Sequence, residues 1–155
     1  MATTTGPIDK AMVSAWNAST IPGLIYGRRA DASTTFGTLF QKMAAPRCPF
    51  PYVVYQHDIA RVVGTHSWSD AEGRQVREIP WRFRVHGQNK PVTEEIANSI
   101  LDLYEHSACL SLDAGGVILI KYATDWSDRS SEDEWLWIVD FDILFDAPTN
   151  PYRIL

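Results

Sequence analysis

Two aspartates near the C-terminal end of the chain, Asp140 and Asp142, are the side chains best spaced for chemistry. They alternate with apolar residues in the run WLWIVDFDILF, so a strand here would place both carboxylates on one face, about 7 Å apart. Two carboxylates so placed could bind a divalent metal ion, as in many nucleases. No further acidic cluster has a matching spacing. The structural alternative is that they pair with Arg82 and Arg84 on another strand.

The other residues capable of chemistry show no ligand spacing. The four histidines are scattered, although His57 and His66 could meet across adjacent strands; the full set is His57, His66, His86 and His106. Cys48 and Cys109 match no metal or redox motif, so we expect free thiols in a reducing compartment.

An acidic run, DWSDRSSEDE at 125–134, lacks the central glycine and the oxygen-ligand spacing of a calcium loop. It is typical of a solvated hairpin tip, with a docking surface for a basic partner as the alternative. The sequence also contains no GxxxxGK[ST], GxGxxG, HExxH, GxSxG or CxxC motif. We therefore expect no cofactor, no metal and no enzymatic activity.

The composition indicates one globular domain over residues 1–155, with 45% hydrophobic and 21% charged residues. The net charge of −5 is unevenly distributed: residues 1–100 carry +3 and residues 101–155 carry −8. An acidic protein is poorly suited to direct nucleic-acid recognition. Parts of opposite charge could instead attract each other between neighbouring copies. With no apolar run of membrane-spanning length and no basic-then-apolar start, we expect a soluble protein that is intracellular when made.

The hydrophobic pattern predicts an α+β fold. We expect an N-terminal helix over 8–19, ended by Pro22 and Gly23. The further elements expected are an extended piece at 24–26, a weaker helix over 34–45, strands over 52–56, 61–68, 75–86, 117–126 and 135–146, a turn at 69–73, a major helix over 91–107, a loop at 127–134 and an extended tail at 147–155. These give an antiparallel sheet of about five strands with the major helix packed on one face. Pro80 cannot donate to a ladder, so the strand over 75–86 should be an edge strand or bulged.

Six tryptophans are unusual for a chain of this length. Four of them, Trp68, Trp81, Trp135 and Trp137, lie in predicted strands. Large aromatic side chains with few polar functional groups serve cores and protein–protein interfaces. Together with two strands of about 12 residues, they favour an interaction protein over an enzyme.

The segment PRCPFPYVVYQ at 46–56, preceded by a short helix and the piece IYG, resembles the tail completion (tail terminator) proteins of long-tailed bacteriophages. The order of predicted elements is also similar over most of the chain. The resemblance implies a virion subunit, made in the host cytoplasm, that forms a six-fold ring on the head-proximal end of the tail tube. Such a ring stops tube growth, contacts the tail tube protein and a neck or head-completion protein, and performs no catalysis.

A heterologous ring needs two different patches on each subunit. We expect Arg82 and Arg84, or Arg28 and Arg29, to face acidic groups such as Asp140, Asp142 or the 127–134 segment of a neighbour. Trp135 and Trp137 would supply the apolar area. Two alternatives stay open: another head–tail connector or neck subunit, and a small ligand-binding or metal-dependent enzyme domain with a cavity lined by Trp81, Phe83 and Trp137.

Overall fold

The fold is α+β, as the sequence predicts. The computed structural model describes residues 6–30, 35–58, 61–64, 74–105, 111–112, 115–131 and 133–148. These ranges contain three helices, α1 (Gly6–Ala18), α2 (Ile21–Arg28) and α3 (Lys90–Glu105). They also contain seven strands: β1 (Leu39–Gln41), β2 (Tyr52–His57), β3 (Arg61–Gly64), β4 (Arg74–Gly87), β5 (Ser111–Leu112), β6 (Gly115–Ser131) and β7 (Glu134–Pro148).

The described strands form one sheet in the order β1-β2-β4-β7-β6-β5, with β3 beside β4. Five of them, β2, β3, β4, β6 and β7, are the strands that the sequence predicts; β1 and β5 are short additions. All pairs are antiparallel except β1 with β2, which makes the sheet mixed. The long strands β4 and β7 pair in continuous register from Arg74–Pro148 to Gly87–Trp135.

One face of the sheet carries the core. Alternate residues of the central strands, including Trp81, Phe83, Val139 and Phe141, belong to a single buried cluster. That cluster also contains residues of all three helices: Ile8, Met12, Trp16, Ile21, Ile25, Ile96, Ala97, Ile100 and Tyr104. The period-2 strands and the period-3.6 helix stripes thus meet in one layer of side chains, as predicted for the major helix.

The extended piece predicted at 24–26 is wrong, because these residues lie in α2. Pro22 falls in the first turn of that helix, where its missing N–H is not needed and its fixed φ suits the helix. Pro22 and Gly23 therefore do not end a helix; α1 ends at Ala18 and α2 begins at Ile21.

The weaker helix predicted over 34–45 is also wrong. Residues 39–41 form β1, which pairs in parallel with the start of β2. The Trp16 indole donates to Thr38 Oγ1 at 3.0 Å, which fixes the entry to this strand from α1. Lys42, with φ 65°, then turns the chain away. Contacts distant in sequence override the local helical pattern.

The strand β4 is central rather than an edge strand. Its partners are β7 on one side and β2 and β3 on the other. Pro80 lies at the junction between those two, since β2 pairs down to Trp81 and β3 begins opposite Glu78. The Pro80 carbonyl accepts from the Asp58 amide, so the carbonyl points toward this junction. The nitrogen of a strand residue points to the same side as its carbonyl, so the nitrogen of Pro80, which has no hydrogen to donate, also faces the junction, where the ladder needs no donor.

The predicted loop at 127–134 is mostly strand. β6 continues to Ser131 and β7 begins at Glu134, so the hairpin is longer than expected. The predicted tail begins within β7, which ends at Pro148. Residues 65–73, 106–110 and 149–155 lie outside the described residues, and with them His66, His106, Cys109 and the turn predicted at 69–73.

Candidate interaction surface

The sheet has a second face, opposite the helices, which we call the open face. In the described ranges its side chains come from alternate residues of β2, β4, β6 and β7. They include Tyr52, Val54, Gln56, Pro80, Arg82, Arg84, His86, Lys121, Thr124, Trp126, Asp128, Leu136, Ile138, Asp140, Asp142 and Leu144. Val54 and Ile138 are buried but belong to no helix-side contact cluster. The face therefore has a small apolar base surrounded by charged and aromatic groups.

Arg82 and Asp140 are directly opposite each other on β4 and β7 and form a bidentate ion pair. Arg82 Nε lies 2.8 Å from Asp140 Oδ1, and Arg82 Nη2 lies 3.0 Å from Oδ2. Donation of these hydrogen bonds to Asp140 raises the pKa of Arg82. The guanidinium also lies 5.1 Å from the centre of the Trp126 ring. Asp140 therefore pairs with an arginine of its own chain, which is the alternative to a metal site that the sequence offered.

Arg84 and Asp142 lie on the same face but in different surroundings. Arg84 donates through Nη2 to the Lys42 carbonyl at 3.2 Å, while its buried Nε has no hydrogen-bond partner among the described residues. Asp142 is opposite Pro80 on β4 and Lys121 on β6. Within one chain, therefore, Arg84 does not join Arg82 in pairing with Asp140.

Trp135 and Trp137 belong to the helix side of the hairpin, not to the open face. Trp135 lies between two cations, with Lys90 Nζ 5.2 Å and Arg129 Cζ 5.5 Å from its ring centre. Trp137 packs against the core, and its Nε1 donates to Asp125 Oδ2 at 2.9 Å. The six residues proposed for subunit contact therefore divide between the two faces of the sheet.

A row of aromatic rings crosses the open face at the end where β2 and β7 begin and β4 ends. Tyr52 stacks on Phe50 and on the His86 imidazole, with ring centres 5.4 and 4.8 Å apart. His86 Nδ1 in turn lies 2.6 Å from Glu134 Oε1. Burial raises the pKa of the Tyr52 hydroxyl. This row joins β2, β4 and the start of β7 into a stiff aromatic surface.

A groove of about 260 Å³ opens where β2 and β3 separate. Gln56, Asp58, Arg82, Asp140 and Asp142 are among its lining residues. Both carboxylate oxygens of Asp140 already accept from Arg82, which makes Asp140 a poor cation ligand. Among the described residues no group of three or more potential metal ligands occurs.

His57 and Asp9 meet behind the groove, between β2 and α1. His57 Nε2 lies 2.8 Å from Asp9 Oδ1, although the two are not aligned for a hydrogen bond. The imidazole stacks on Trp81, with ring centres 4.8 Å apart. Burial raises the pKa of Asp9, and His57 opposes that shift. His57 thus joins α1 to the sheet, and His66, its possible partner on the adjacent strand, lies outside the described residues.

Arg28 and Arg29, the alternative basic patch, have opposite roles. Arg28 is exposed and pairs with Glu95 of α3 at 2.9 Å. Arg29 is 3% exposed and donates to the carbonyls of Phe36, Gly37 and Pro51. Arg29 therefore holds the segment before β1 in place and presents no charge to a neighbour.

Sequence reasoning missed the outer strand β6 as a surface. Tyr122 and Trp126 are each 39% exposed on it. The segment KYATDWSDR has no period-2 hydrophobic alternation because both of its sides are largely exposed. The one available signal was an isolated tryptophan in an otherwise polar run.

No protein-family model matches the chain, and no curated protein sequence matches it. A solved structure of the virion of a native gene transfer agent particle contains a chain of similar fold, with a TM-score of 0.69. The likeness covers 95% of this chain and 100% of that chain at 15% sequence identity. It shows that this α+β arrangement, from end to end, is one that a virion subunit adopts. In the described part of the chain, no helix has the length and apolar character needed to cross a membrane.

Proposed function

We propose that the chain is a structural virion protein, a subunit of a hexameric ring that caps the tail tube and joins it to the head or neck. The observation that carries this proposal is the full-length fold likeness to a chain of a gene transfer agent virion. The proposed role is therefore structural, in the virion, with assembly in the host cytoplasm.

The surface supports a role in contact with other proteins. The open face combines a bidentate arginine–carboxylate pair, a half-exposed tryptophan and a row of stacked aromatic rings. Tryptophan, tyrosine and arginine are the residues that most often dominate binding energy at interfaces. A ring also needs two different patches on each subunit, and the two faces of the β6–β7 hairpin differ in this way.

The charged side chains of the open face allow the proposed contacts between subunits to be tested by charge reversal. Because Asp140 already engages Arg82, reversal of Arg82 alone would also disrupt the chain itself. Arg84 is the better probe, since its guanidinium meets a main-chain carbonyl rather than a carboxylate. An Arg84→Glu variant should weaken assembly at low salt, with a smaller effect at high salt. The double exchange Arg82→Asp with Asp140→Arg keeps the internal pair and serves as the matched control.

The role itself is tested by electron microscopy of particles made without this protein. Overlong tails, or tails without heads, are the expected result, and supplying the wild-type chain should restore normal particles. Normal tails and heads in its absence would contradict the proposal.

A second candidate is another connector or neck subunit, since the same fold likeness supports any position in the virion. The two candidates differ in the partner. A terminator should co-purify with tail tube protein and yield tails of abnormal length when absent, whereas a neck subunit should leave tail length unchanged while heads and tails stay separate.

A further inference from the structure

β6 forms an edge of the sheet that no described strand covers for most of its length. β5 pairs only with Gly115 and Gly116, and the rest of β6 pairs with β7 on its inner side alone. Every residue from Lys121 to Arg129 is exposed except Asp125, which is half-buried. The outward main-chain N–H and C=O groups of such an edge are a template for another strand.

The exposed hydrophobic side chains concentrate on the same edge. In the described ranges three large hydrophobic residues are exposed: Met43 at 79%, and Tyr122 and Trp126 at 39% each. Two of the three lie on β6. Isolated exposed apolar residues are ordinary, but a tryptophan beside unpaired main-chain groups marks an edge suited to burial by a partner.

One stretch of this edge is regular enough to accept a strand. The register of β6 against β7 shifts between Tyr122 and Thr124 and again between Arg129 and Ser131. Between those two bulges, Thr124–Arg129 pairs without interruption. Thr124, Trp126 and Asp128 lie on the open face, and Asp125, Ser127 and Arg129 lie on the helix side. We call this stretch the central segment of β6; six residues is an average strand length.

The central segment is complementary to itself. If two copies pair antiparallel about Ser127, each Asp125 lies opposite the other copy's Arg129, on the same side of the sheet. Trp126 then lies opposite Asp128 and diagonal to Trp126 of the second copy, within reach of an aromatic contact. Registers centred on Asp125 or Asp128 would place like charges together, and one centred on Trp126 would pair Asp125 with Ser127. Charge thus selects the register about Ser127.

We propose that the central segment of β6 is a homodimer interface, in which a second copy of this chain extends the sheet by antiparallel pairing about Ser127. The other edge of the sheet offers a poorer partner, since β1 has three residues and β3 has four. Pairing with either would leave most of β6 uncovered. This interface does not rest on the proposed virion role, and its test requires no virion.

The first test uses charge reversal with a built-in rescue. Sedimentation equilibrium should find the wild-type chain as a dimer at high concentration. Asp125→Arg and Arg129→Asp should each weaken the dimer about tenfold, because each places two like-charge pairs across the interface. An equimolar mixture of the two variants should form a heterodimer of near wild-type affinity, since every cross-strand pair is then opposite in charge. Asp125 also accepts from Tyr122 and Trp137 within its own chain, so circular dichroism checks that each variant is folded.

A wild-type chain that stays monomeric at every concentration overturns the proposal. A dimer that neither reversal weakens, or a mixture that does not restore pairing, also overturns it.

The second test fixes the register without disturbing a charge. Ser127→Cys should give a disulfide-linked dimer under mild copper oxidation, because the two cysteines face each other across the axis. Thr124→Cys is the matched control: its two copies would be about 20 Å apart, too far for a disulfide. Equal cross-linking of the two variants, beyond that of the wild-type chain, contradicts the proposed register. If the wild-type chain forms no dimer, only the proposed interface fails. The proposed virion role is tested separately, by electron microscopy of particles made without this protein.

Discussion

Arg28 and Arg29 are adjacent in sequence, yet one is a surface group and the other a buried brace. The side chain of Arg29 donates to three main-chain carbonyls, those of Phe36, Gly37 and Pro51, which lie outside the helices and strands. Sequence alone could not separate them, because α2 was not predicted and the helix determines which arginine turns inward. For Arg82 and Asp140, by contrast, period-2 alternation predicted the polar face of each strand, and the intrachain pair given as the alternative is the one observed.

The two arginines give a matched pair of substitutions. Arg29→Ala should lower the free energy of unfolding by about 3 kcal/mol, since it leaves buried carbonyls without donors. Arg28→Ala removes an exposed ion pair and should change it by less than about 1 kcal/mol. Urea unfolding of both variants measures the difference, and equal effects would show that Arg29 is not a brace.

Asp9 makes the stability of the chain depend on pH. Because burial raises its pKa above the ordinary value of 3.8, the folded chain holds this proton more tightly than the unfolded chain. The free energy of unfolding should therefore fall as pH rises from about 3.8 through the raised pKa. Asp9→Asn removes that loss, so the variant should gain stability relative to wild type over this window. Denaturant titrations at several pH values test the sign; a constant difference between the two proteins would contradict it.

At the scale of elements, strong hydrophobic periodicity predicted helices and strands reliably, whereas single prolines and glycines did not reliably predict where elements end. The apolar stripe of α3 and the alternation of β4 and β7 were predicted because each buries one side in the core. The predictions were wrong for the helix end at Pro22, for the edge strand at Pro80 and for the helix over 34–45. In each case the conformation depends on contacts with residues distant in sequence. The length of β6 could not be predicted, since a strand exposed on both sides carries no hydrophobic period.

The turn from β4 into α3 depends on a glycine. A Cβ on Gly87 would lie 2.5 Å from Oγ1 of the buried Thr93, and that hydroxyl donates to the Asn89 carbonyl at 2.8 Å. Gly87→Ala should therefore lower the free energy of unfolding by about 1–3 kcal/mol.

Two further variants identify the cause of that loss. Adding Thr93→Ala to Gly87→Ala should recover part of the stability, because it removes the clashing hydroxyl. Gly23→Ala, in α2 with open space around it, should instead stabilise the chain by about 0.5–1 kcal/mol. Thermal unfolding compares all three; a destabilising Gly23→Ala would show that helix propensity does not control this site.

At the scale of the whole molecule, the strands of the sheet differ in how well their backbone amides are protected from hydrogen exchange. β4 and β7 are flanked by strands on both sides and backed by the helices, whereas the central segment of β6 has a strand on one side only. Hydrogen exchange should be slowest in β4 and β7 and fast at the outward amides of Thr124–Arg129 in the monomer. Those amides should become protected when the chain associates. Unchanged exchange there on association would mean that other surfaces make the contact.

The continuous pairing of β4 with β7 also has a mechanical consequence. Two antiparallel strands aligned over the 14 residues of β4 share a load applied along their length among all their hydrogen bonds at once. The same ladder peels apart bond by bond when the load acts across it. A chain built on this pair resists stretching along the strands far better than forces that pull the strands apart, so its stiffness depends on the direction of the load.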